Sequence, residues 1–304
     1  MAVMKAPKVP GWLLKGFAIA PRLTRRLVTA YLLRRPPDWL AHYRAAASQS
    51  LDCLGLAQPE RVAQVGQLPM RFVADVMFLR HAPLAALRRL PLRLFGADHA
   101  VPVDGQGTVF ACSNFGCFYA NFLAPPPGIT EVLVVTPNVP PQEDRALCRR
   151  IEAVSGVKLT LVAASTKSAI AIARTLRKGG AVATMLDSWL SNTPMIVAPF
   201  LGHPAATPRG LYEILARTPA RIVPVYGLRR GEGFDITYQR PICAMGQTPE
   251  ALATAVNARL EELVREHPGQ WALWPALPGR WKAAADATLA ARVMADRADE
   301  PAAA

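Results

Sequence analysis

Hydrophobic residues recur at two different spacings along the chain, and the spacing changes near residue 108. Between residues 38 and 90 they recur every three to four positions, which predicts helices over 39–54 and 59–79. Beyond this point, short β-branched runs predict buried strands over 108–112, 131–136, 157–162, 181–186 and 221–226. Helical patterns separate these runs, at 116–123, 143–154, 166–177 and 209–216. The alternation predicts an α/β fold with a mixed, mostly parallel sheet flanked by helices.

The same patterns describe the two ends of the chain. Alternating hydrophobic and polar residues at 234–239 predict a late antiparallel strand. After it we predict a long helix over 248–266, and an Ala-rich helix with a frayed tail beyond residue 282. Residues 11–33 are apolar but contain four cations and Pro21, which argues against a spanning helix and against a signal peptide. After Pro21 one helical face is apolar and another is basic; the apolar positions are Leu23, Leu27, Ala30 and Tyr31, and the basic ones Arg22, Arg25 and Arg26. We expect an amphipathic helix in the plane of a membrane with its arginines at the headgroups, or alternatively a core helix with a solvated basic side.

Charge is concentrated in the first third of the chain. The net charge is +13, of which residues 1–94 supply 15 Lys/Arg against 4 Asp/Glu. This asymmetry indicates an anionic partner, and anionic lipid or an acidic protein fits better than nucleic acid because the cations lie among aliphatic residues without aromatic stacking positions. No repeat or linker divides the chain. We predict a basic helical membrane-associating region over 1–95 and an α/β core over 96–304, within one continuous domain.

Familiar catalytic signatures are absent from the sequence, including the P-loop, the Gly-x-Ser-x-Gly elbow and His-Glu-x-x-His. The five cysteines form no Cys-x-x-Cys pair, so we predict neither a disulfide framework nor a metal site. Free cysteines fit a reducing compartment. No cofactor is predicted. Three stretches are informative: CSNFGCFYANF at 112–122, MLDSWLSNTPMIVAPFLGHPAATPRG at 185–210, and REHPGQWALWPALPGRWK at 265–282.

Together these stretches resemble the bacterial lipid A biosynthesis acyltransferases of the lysophospholipid acyltransferase superfamily. In that family a strand leads into a His-x-Gly-Asn-Trp-Glu-like turn, an Asp follows a later strand, and a Phe-Phe-Gly-x-Pro-Ala-Thr-like loop comes next. A His-Pro-x-Gln-Trp-x-Trp…Arg-Trp-Lys signature closes the family pattern. Here the matching residues are Asp187, the run 199–207, Pro224-Val225, His267-Pro268-Gly269-Gln270-Trp271 with Trp274, and Arg280-Trp281-Lys282.

The resemblance implies transfer of an acyl group from acyl carrier protein to a hydroxyl, at the cytoplasmic face of the bacterial inner membrane. It also implies a His general base oriented by a carboxylate. Aligning Phe115-Gly116 with the family turn puts Asn114 at the position of that His and Tyr119 at the carboxylate. A carboxamide has no useful basicity, so this sequence lacks the family's catalytic pair. The candidate catalytic residues are Asn114, Tyr119 and Asp187, and the candidate substrate-binding residues are Ser113, Cys117, Arg150, His203 and Arg209.

Three interpretations stay open. In the first the site is altered: Asn114 donates a hydrogen bond to an oxyanion, the acceptor is a better nucleophile such as an amine, and Cys112 or Cys117 is either an acyl-accepting thiol or a packing residue. In the second the protein is a pseudoenzyme that binds acyl chains or serves as a scaffold. In the third the base lies elsewhere. The spacing of His99 and Asp104 matches such a pair, but both precede the strand that the family's pair follows.

Overall fold

The computed structural model describes residues 7–188 and 193–298 and begins with a layer of helices. This layer contains α1 (Gly11–Ile19), α2 (Pro21–Arg34), α3 (Trp39–Cys53), α4 (Pro59–His81) and α5 (Leu84–Arg88). Proline stands at the first position of α2 and of α4, where its missing N–H costs nothing. The predicted helices over 39–54 and 59–79 are confirmed.

One mixed sheet forms the centre of the molecule. Its strands are β1 (Leu92–Phe95), β2 (Gly107–Cys112), β3 (Glu131–Thr136), β4 (Lys158–Ala163), β5 (Ala181–Met185), β8 (Ala220–Arg230) and β9 (Gly233–Tyr238), with β10 (Ile242–Cys243) paired to β8. The order is β1-β9-β8-β2-β5-β3-β4, and the run from β8 to β4 is parallel. Strand β9 lies antiparallel to β8. The five predicted buried strands, the late antiparallel strand and the fold class are therefore confirmed.

Two hydrophobic cores cover the two faces of this sheet. Strand β2 is buried along its whole length, and its residues alternate between the cores. Phe110 and Cys112 pack in the core that contains α1 to α4 and α6 (Gln142–Ser155). Val109 and Ala111 pack in the core that contains α7 (Thr166–Arg177), α8 (Gly210–Leu215) and α9 (Pro249–Glu266). Helix α10 (Leu277–Ala298) closes the chain.

A β-hairpin stands apart from the sheet and was not predicted from the hydrophobic pattern. It consists of β6 (Met195–Phe200) and β7 (His203–Pro208), joined by Leu201 and Gly202, which both have positive φ. Prolines within both strands hide the hairpin in the sequence, because proline cannot donate to a ladder. Polar side chains from α9 and α10 hold it: Asn257 donates to Pro199 O at 3.1 Å, and Arg280 donates to Ala206 O at 3.0 Å.

Three predicted details were wrong. The stretch 116–123 is not an α-helix but a short 3₁₀ turn over Phe118–Phe122, and the last helix begins at Leu277 rather than beyond residue 282. Within α2, Arg25 does not share the outer side with Arg22 and Arg26. It is 3% exposed and faces the core with Thr24, Val28 and Leu32, while Leu23 and Leu27 face outwards.

Candidate functional site

The turn after β2 is held by the C-terminal signature. Gly116 N donates to Gln270 O at 2.9 Å, Ala272 N donates to Asn114 O at 2.9 Å, and Phe115 pairs with Trp271 in an isolated bridge. Gly116 has φ +48°, and a Cβ at this position would lie 2.4 Å from Gly227 O. Glycine is therefore required here, both by the left-handed backbone and by the close approach of β8.

Asp187 fixes the side chain of Asn114. The backbone N of Asn114 donates to Asp187 Oδ2 at 2.7 Å, and its Nδ2 donates to Asp187 Oδ1 at 2.7 Å and to Ser188 Oγ at 3.1 Å. Both amide hydrogens of Asn114 are thus already bonded within the protein. An oxyanion would have to break one of these bonds to receive a hydrogen bond from Nδ2. Among the described residues, none donates a hydrogen bond to Asn114 Oδ1, and an amide oxygen is an acceptor.

Trp271 and Arg280 complete the surroundings of Asp187. Trp271 Nε1 donates to Asp187 Oδ2 at 3.0 Å, and the fully buried guanidinium of Arg280 attracts the carboxylate. Burial raises the pKa of Asp187, against the opposing effects of the hydrogen bonds from Asn114 and Trp271 and of the Arg280 charge. Burial also lowers the pKa of Arg280 to about 10. Since Asp187 is 1% exposed and bonded through both oxygens, it positions Asn114.

Tyr119 and Asn114 do not share a hydrogen-bond partner. Its hydroxyl donates to Asp144 Oδ1 at 3.3 Å, and the same carboxylate pairs with Arg80 at 3.0 Å. The ring packs at a tilt against Phe118, with centroids 4.3 Å apart. Burial raises the pKa of Tyr119, so the phenol is neutral at physiological pH and supplies no negative charge to orient a base.

Cys112, the last residue of β2, and Cys117, in the turn that follows, are buried thiols. Cys117 is 0% exposed and Cys112 is 3% exposed, and burial raises the pKa of each to about 12. Near neutral pH almost no thiolate forms at such values, and the thiolate is the nucleophilic species. The geometry therefore favours packing over acyl acceptance for both residues.

The remaining candidates are spread over several contacts. Ser113 is buried on the turn and, with Asp187, lines a small cavity of about 20 Å³ between the sheet and α9. Arg150 donates to the carbonyls of Leu79 and Ala82 at the end of α4. His203 packs over Trp281 with ring centroids 4.4 Å apart, and Arg209 forms exposed ion pairs with Glu213 and Glu250. Among the described residues, none of Arg150, His203 and Arg209 forms a hydrogen bond with Asn114 or Asp187.

His99 contacts strand β9, two strands across the sheet from β2, and not the turn of Asn114. Its Nδ1 is 2.9 Å from Tyr238 O, at the end of β9, and Asp104 is exposed in the loop before β2. Tyr238 pairs with Val225, and Val225 pairs with Cys112, so the backbone that His99 contacts is level with the end of β2 and lies two strand spacings, roughly 10 Å, across the sheet. Within the described part of the chain, no histidine hydrogen-bonds to Asn114, Tyr119 or Asp187.

The comparisons with known proteins agree with the resemblance of the C-terminal half. The model of the bacterial lipid A biosynthesis acyltransferase family matches residues 156–283. The match supports membership of the chain in this family. No curated protein matches the chain. The matched segment includes Asp187, the β6–β7 hairpin, Trp271 and Arg280, and it begins after the turn of Asn114 in the chain. It therefore contains residues that support this turn but not the turn itself.

A buried ion network next to the turn was missed by the sequence analysis. Asp75 of α4 pairs with Arg25 of α2 at 2.6 Å and with Arg229 of β8. The backbone N of Arg229 donates to the Gln270 side chain at 2.7 Å, and Gln270 O receives the Gly116 N–H. The signal was Asp75, an acid at a core-facing helix position, which needs a buried cation. This network joins the N-terminal helices α2 and α4 to the turn after β2.

Proposed function

We propose that the protein transfers a fatty acyl group from an acyl-carrier-protein thioester to a lipid, amine or specialised-metabolite acceptor. The observation that carries this proposal is the rigid Asn114 amide at the carboxyl end of β2, bonded twice to buried Asp187. Sites in parallel α/β sheets collect at this edge. The family match supports acyltransferase-like activity, and the altered turn concerns how that activity proceeds.

The chemistry follows from which atom of Asn114 is available. Its Oδ1 accepts a hydrogen bond from an N–H or O–H of the acceptor and orients that atom, but it does not take the proton. The acceptor must then be nucleophilic while neutral, which favours an amine over an alcohol. Its lone pair attacks the thioester carbonyl, a C–N bond forms, and the C–S bond breaks. The carrier's sulfur leaves as a thiolate and receives the proton that the amine loses.

A pseudoenzyme that binds acyl chains or serves as a scaffold is the second candidate. The neutral Tyr119 phenol and the buried thiols favour it, because none of these groups is a base or nucleophile near neutral pH. Under this alternative the cavity and the turn are kept for binding alone.

Donor and location belong to the same proposal. An acidic carrier protein complements the cationic first third of the chain. We place the protein at the cytoplasmic face of the bacterial inner membrane, as a peripheral protein. Among the described residues, no helix is long and apolar enough to cross a bilayer.

The test is a turnover measurement with carrier-protein thioesters. Purified protein is incubated with the thioesters and with amine or alcohol acceptors, and thioester and product are followed by mass spectrometry. We expect product with an amine, its loss in Asn114→Ala, and its retention in Asn138→Ala, which changes an exposed asparagine after β3, two strands from β2. Turnover that survives in Asn114→Ala refutes the site assignment. Acyl binding without turnover in the wild type favours the pseudoenzyme.

A further inference from the structure

Three arginines and one aspartate meet beside the turn after β2, and their charges do not balance. Asp75 of α4 is 1% exposed, and one of its oxygens contacts Arg25 at 2.6 Å while the other contacts Arg229. Arg71 lies one helical turn before Asp75 on the same side of α4. Because both Asp75 oxygens are occupied, Arg71 donates instead to Gln67 Oε1 at 2.8 Å. We call Arg25, Arg71, Asp75 and Arg229 the Asp75 cluster, which holds three cations against one anion.

The cations of the cluster repel one another. Burial lowers the pKa of Arg25 and of Arg71, and the charge of Arg229 lowers both further, while Asp75 opposes these effects. Arg229 Nη2 donates to the backbone oxygen of Arg71 at 3.2 Å. The guanidinium groups of Arg25 and Arg229 lie 5.4 and 5.8 Å from the centroid of the Phe234 ring. The fold therefore holds these like charges together although a single carboxylate lies between them.

The neighbouring acids are engaged by other cations. Glu232 forms its ion pair with Arg26 at 2.6 Å, and it reaches Arg25 through its backbone oxygen, at 2.9 Å. Asp235 accepts two hydrogen bonds from the guanidinium fork of Arg93, at 2.7 and 2.6 Å. In the part of the chain that the structure describes, Asp75 is thus the one acid that forms an ion pair with a cluster arginine. The excess positive charge is left for a ligand to neutralise.

Several guanidinium N–H groups of the cluster have no partner within the protein. Arg25 Nη2 is buried and makes no hydrogen bond in the described structure. The hydrogen bonds that Arg71 and Arg229 donate to described residues from their guanidinium groups all start from Nη2. Arg71 and Arg229 are partly exposed, so an anion can approach from their side. Planar guanidinium forks match the oxygens of a phosphate group better than a point charge does.

We propose that the Asp75 cluster binds a phosphate monoester. Such a group carries a charge of about −1.5 to −2 near neutral pH, which matches the excess of the cluster, whereas a carboxylate or a phosphodiester brings only about −1. The site adjoins the turn of Asn114, because Arg229 N donates to the Gln270 side chain at 2.7 Å and Gln270 O accepts from Gly116 N. Assigning this phosphate to the acceptor of acyl transfer rests on the proposed function; the phosphate site itself does not.

Isothermal titration calorimetry of the full chain tests the site, with ionic strength held constant by chloride. We expect inorganic phosphate and glycerol 3-phosphate to bind, and dimethyl phosphate, a diester, to bind at least about tenfold more weakly. Arg71→Gln should lose at least about tenfold in affinity for glycerol 3-phosphate, the effect of removing a charge-assisted hydrogen bond. The fold should persist in this variant because Arg229 repels Arg71, and far-UV circular dichroism checks it. The matched control is Arg174→Gln, an exposed arginine of α7 on the other face of the sheet, which should bind like the wild type.

A second measurement needs no variant. Glycerol 3-phosphate should raise the thermal unfolding midpoint of the wild type at constant ionic strength, because a ligand of the folded state stabilises it. The absence of both this rise and a binding isotherm overturns the proposal, as does equal affinity of Arg71→Gln and the wild type or equal weakening by Arg174→Gln. Dimethyl phosphate binding as tightly as glycerol 3-phosphate overturns the monoester assignment. The titrations contain no thioester, so phosphate binding without acyl transfer removes only the proposed function, and acyl transfer without phosphate binding removes only the phosphate site.

Discussion

Replacing Gly116 with alanine tests whether the turn after β2 is held in a conformation that only glycine allows. An alanine at φ +48° costs roughly 1–2 kcal/mol as a left-handed L-residue. Its Cβ would also stand 2.4 Å from Gly227 O, a backbone atom of β8, so the strand must shift. Overpacking of this kind adds roughly 1–3 kcal/mol, which gives a total loss of about 2–5 kcal/mol in the free energy of unfolding.

Gly156→Ala is the matched control for this substitution. Gly156 ends α6 with φ +76°, and a Cβ there would meet nothing within 4 Å, so only the conformational cost of roughly 1–2 kcal/mol applies. Urea unfolding is followed for both variants by far-UV circular dichroism and by the fluorescence of the buried Trp271 and Trp274. The difference between the two unfolding midpoints isolates the contact with β8. Equal midpoints would refute the reasoning that the turn is pressed against this strand.

Three further predictions follow from the buried groups. Iodoacetamide at pH 8 should label the exposed Cys53 and Cys243 and leave Cys112 and Cys117 unmodified in peptide mass spectra. The reason is that burial raises the pKa of Cys112 and Cys117 to about 12. Labelling of Cys112 or Cys117 in the folded protein would contradict this prediction. Arg280→Met should destabilise the β6–β7 hairpin and leave Asp187 without its cation, a loss of roughly 3–5 kcal/mol measured by urea unfolding, and a variant as stable as the wild type would oppose it. Burial raises the pKa of Asp187, so the stability that this group contributes is fully present below about pH 4 and declines as pH rises through its folded-state pKa. The difference in thermal unfolding midpoint between the wild type and Asp187→Asn should therefore narrow from pH 4 to pH 8. A difference that widens over this range would contradict the argument.

The sheet and most helices could be predicted because the hydrophobic pattern of each segment indicates which of its residues are buried. A parallel strand covered on both faces needs a continuous apolar run, as in 108–112, and an amphipathic helix needs apolar positions at three-to-four spacing. The β6–β7 hairpin could not be predicted this way. Its prolines oppose a strand locally, and its stability comes from Asn257 and Arg280, which lie far along the chain.

The candidate site divides in the same manner. Residue types at the turn were readable in sequence, including the asparagine where the family resemblance expects histidine. Asp187 was predicted next to a strand end, but its two bonds to Asn114 depend on β2 and β5 being neighbours. The sequence around Asn114 does not indicate that both of its amide hydrogens form hydrogen bonds, since the acceptors lie more than 70 positions away.

By itself, the sequence determined the fold class, the cationic first third and the residue types of the turn after β2, because each depends on residue type and short-range spacing. Only the tertiary structure decided which side of α2 faces outwards. The local pattern grouped Arg25 with Arg22 and Arg26, whereas the folded chain buries Arg25 against Asp75, and the reason is a charge partner about 50 positions away. Helical periodicity reports which residues share a face; the partners available in the folded protein decide which face is buried.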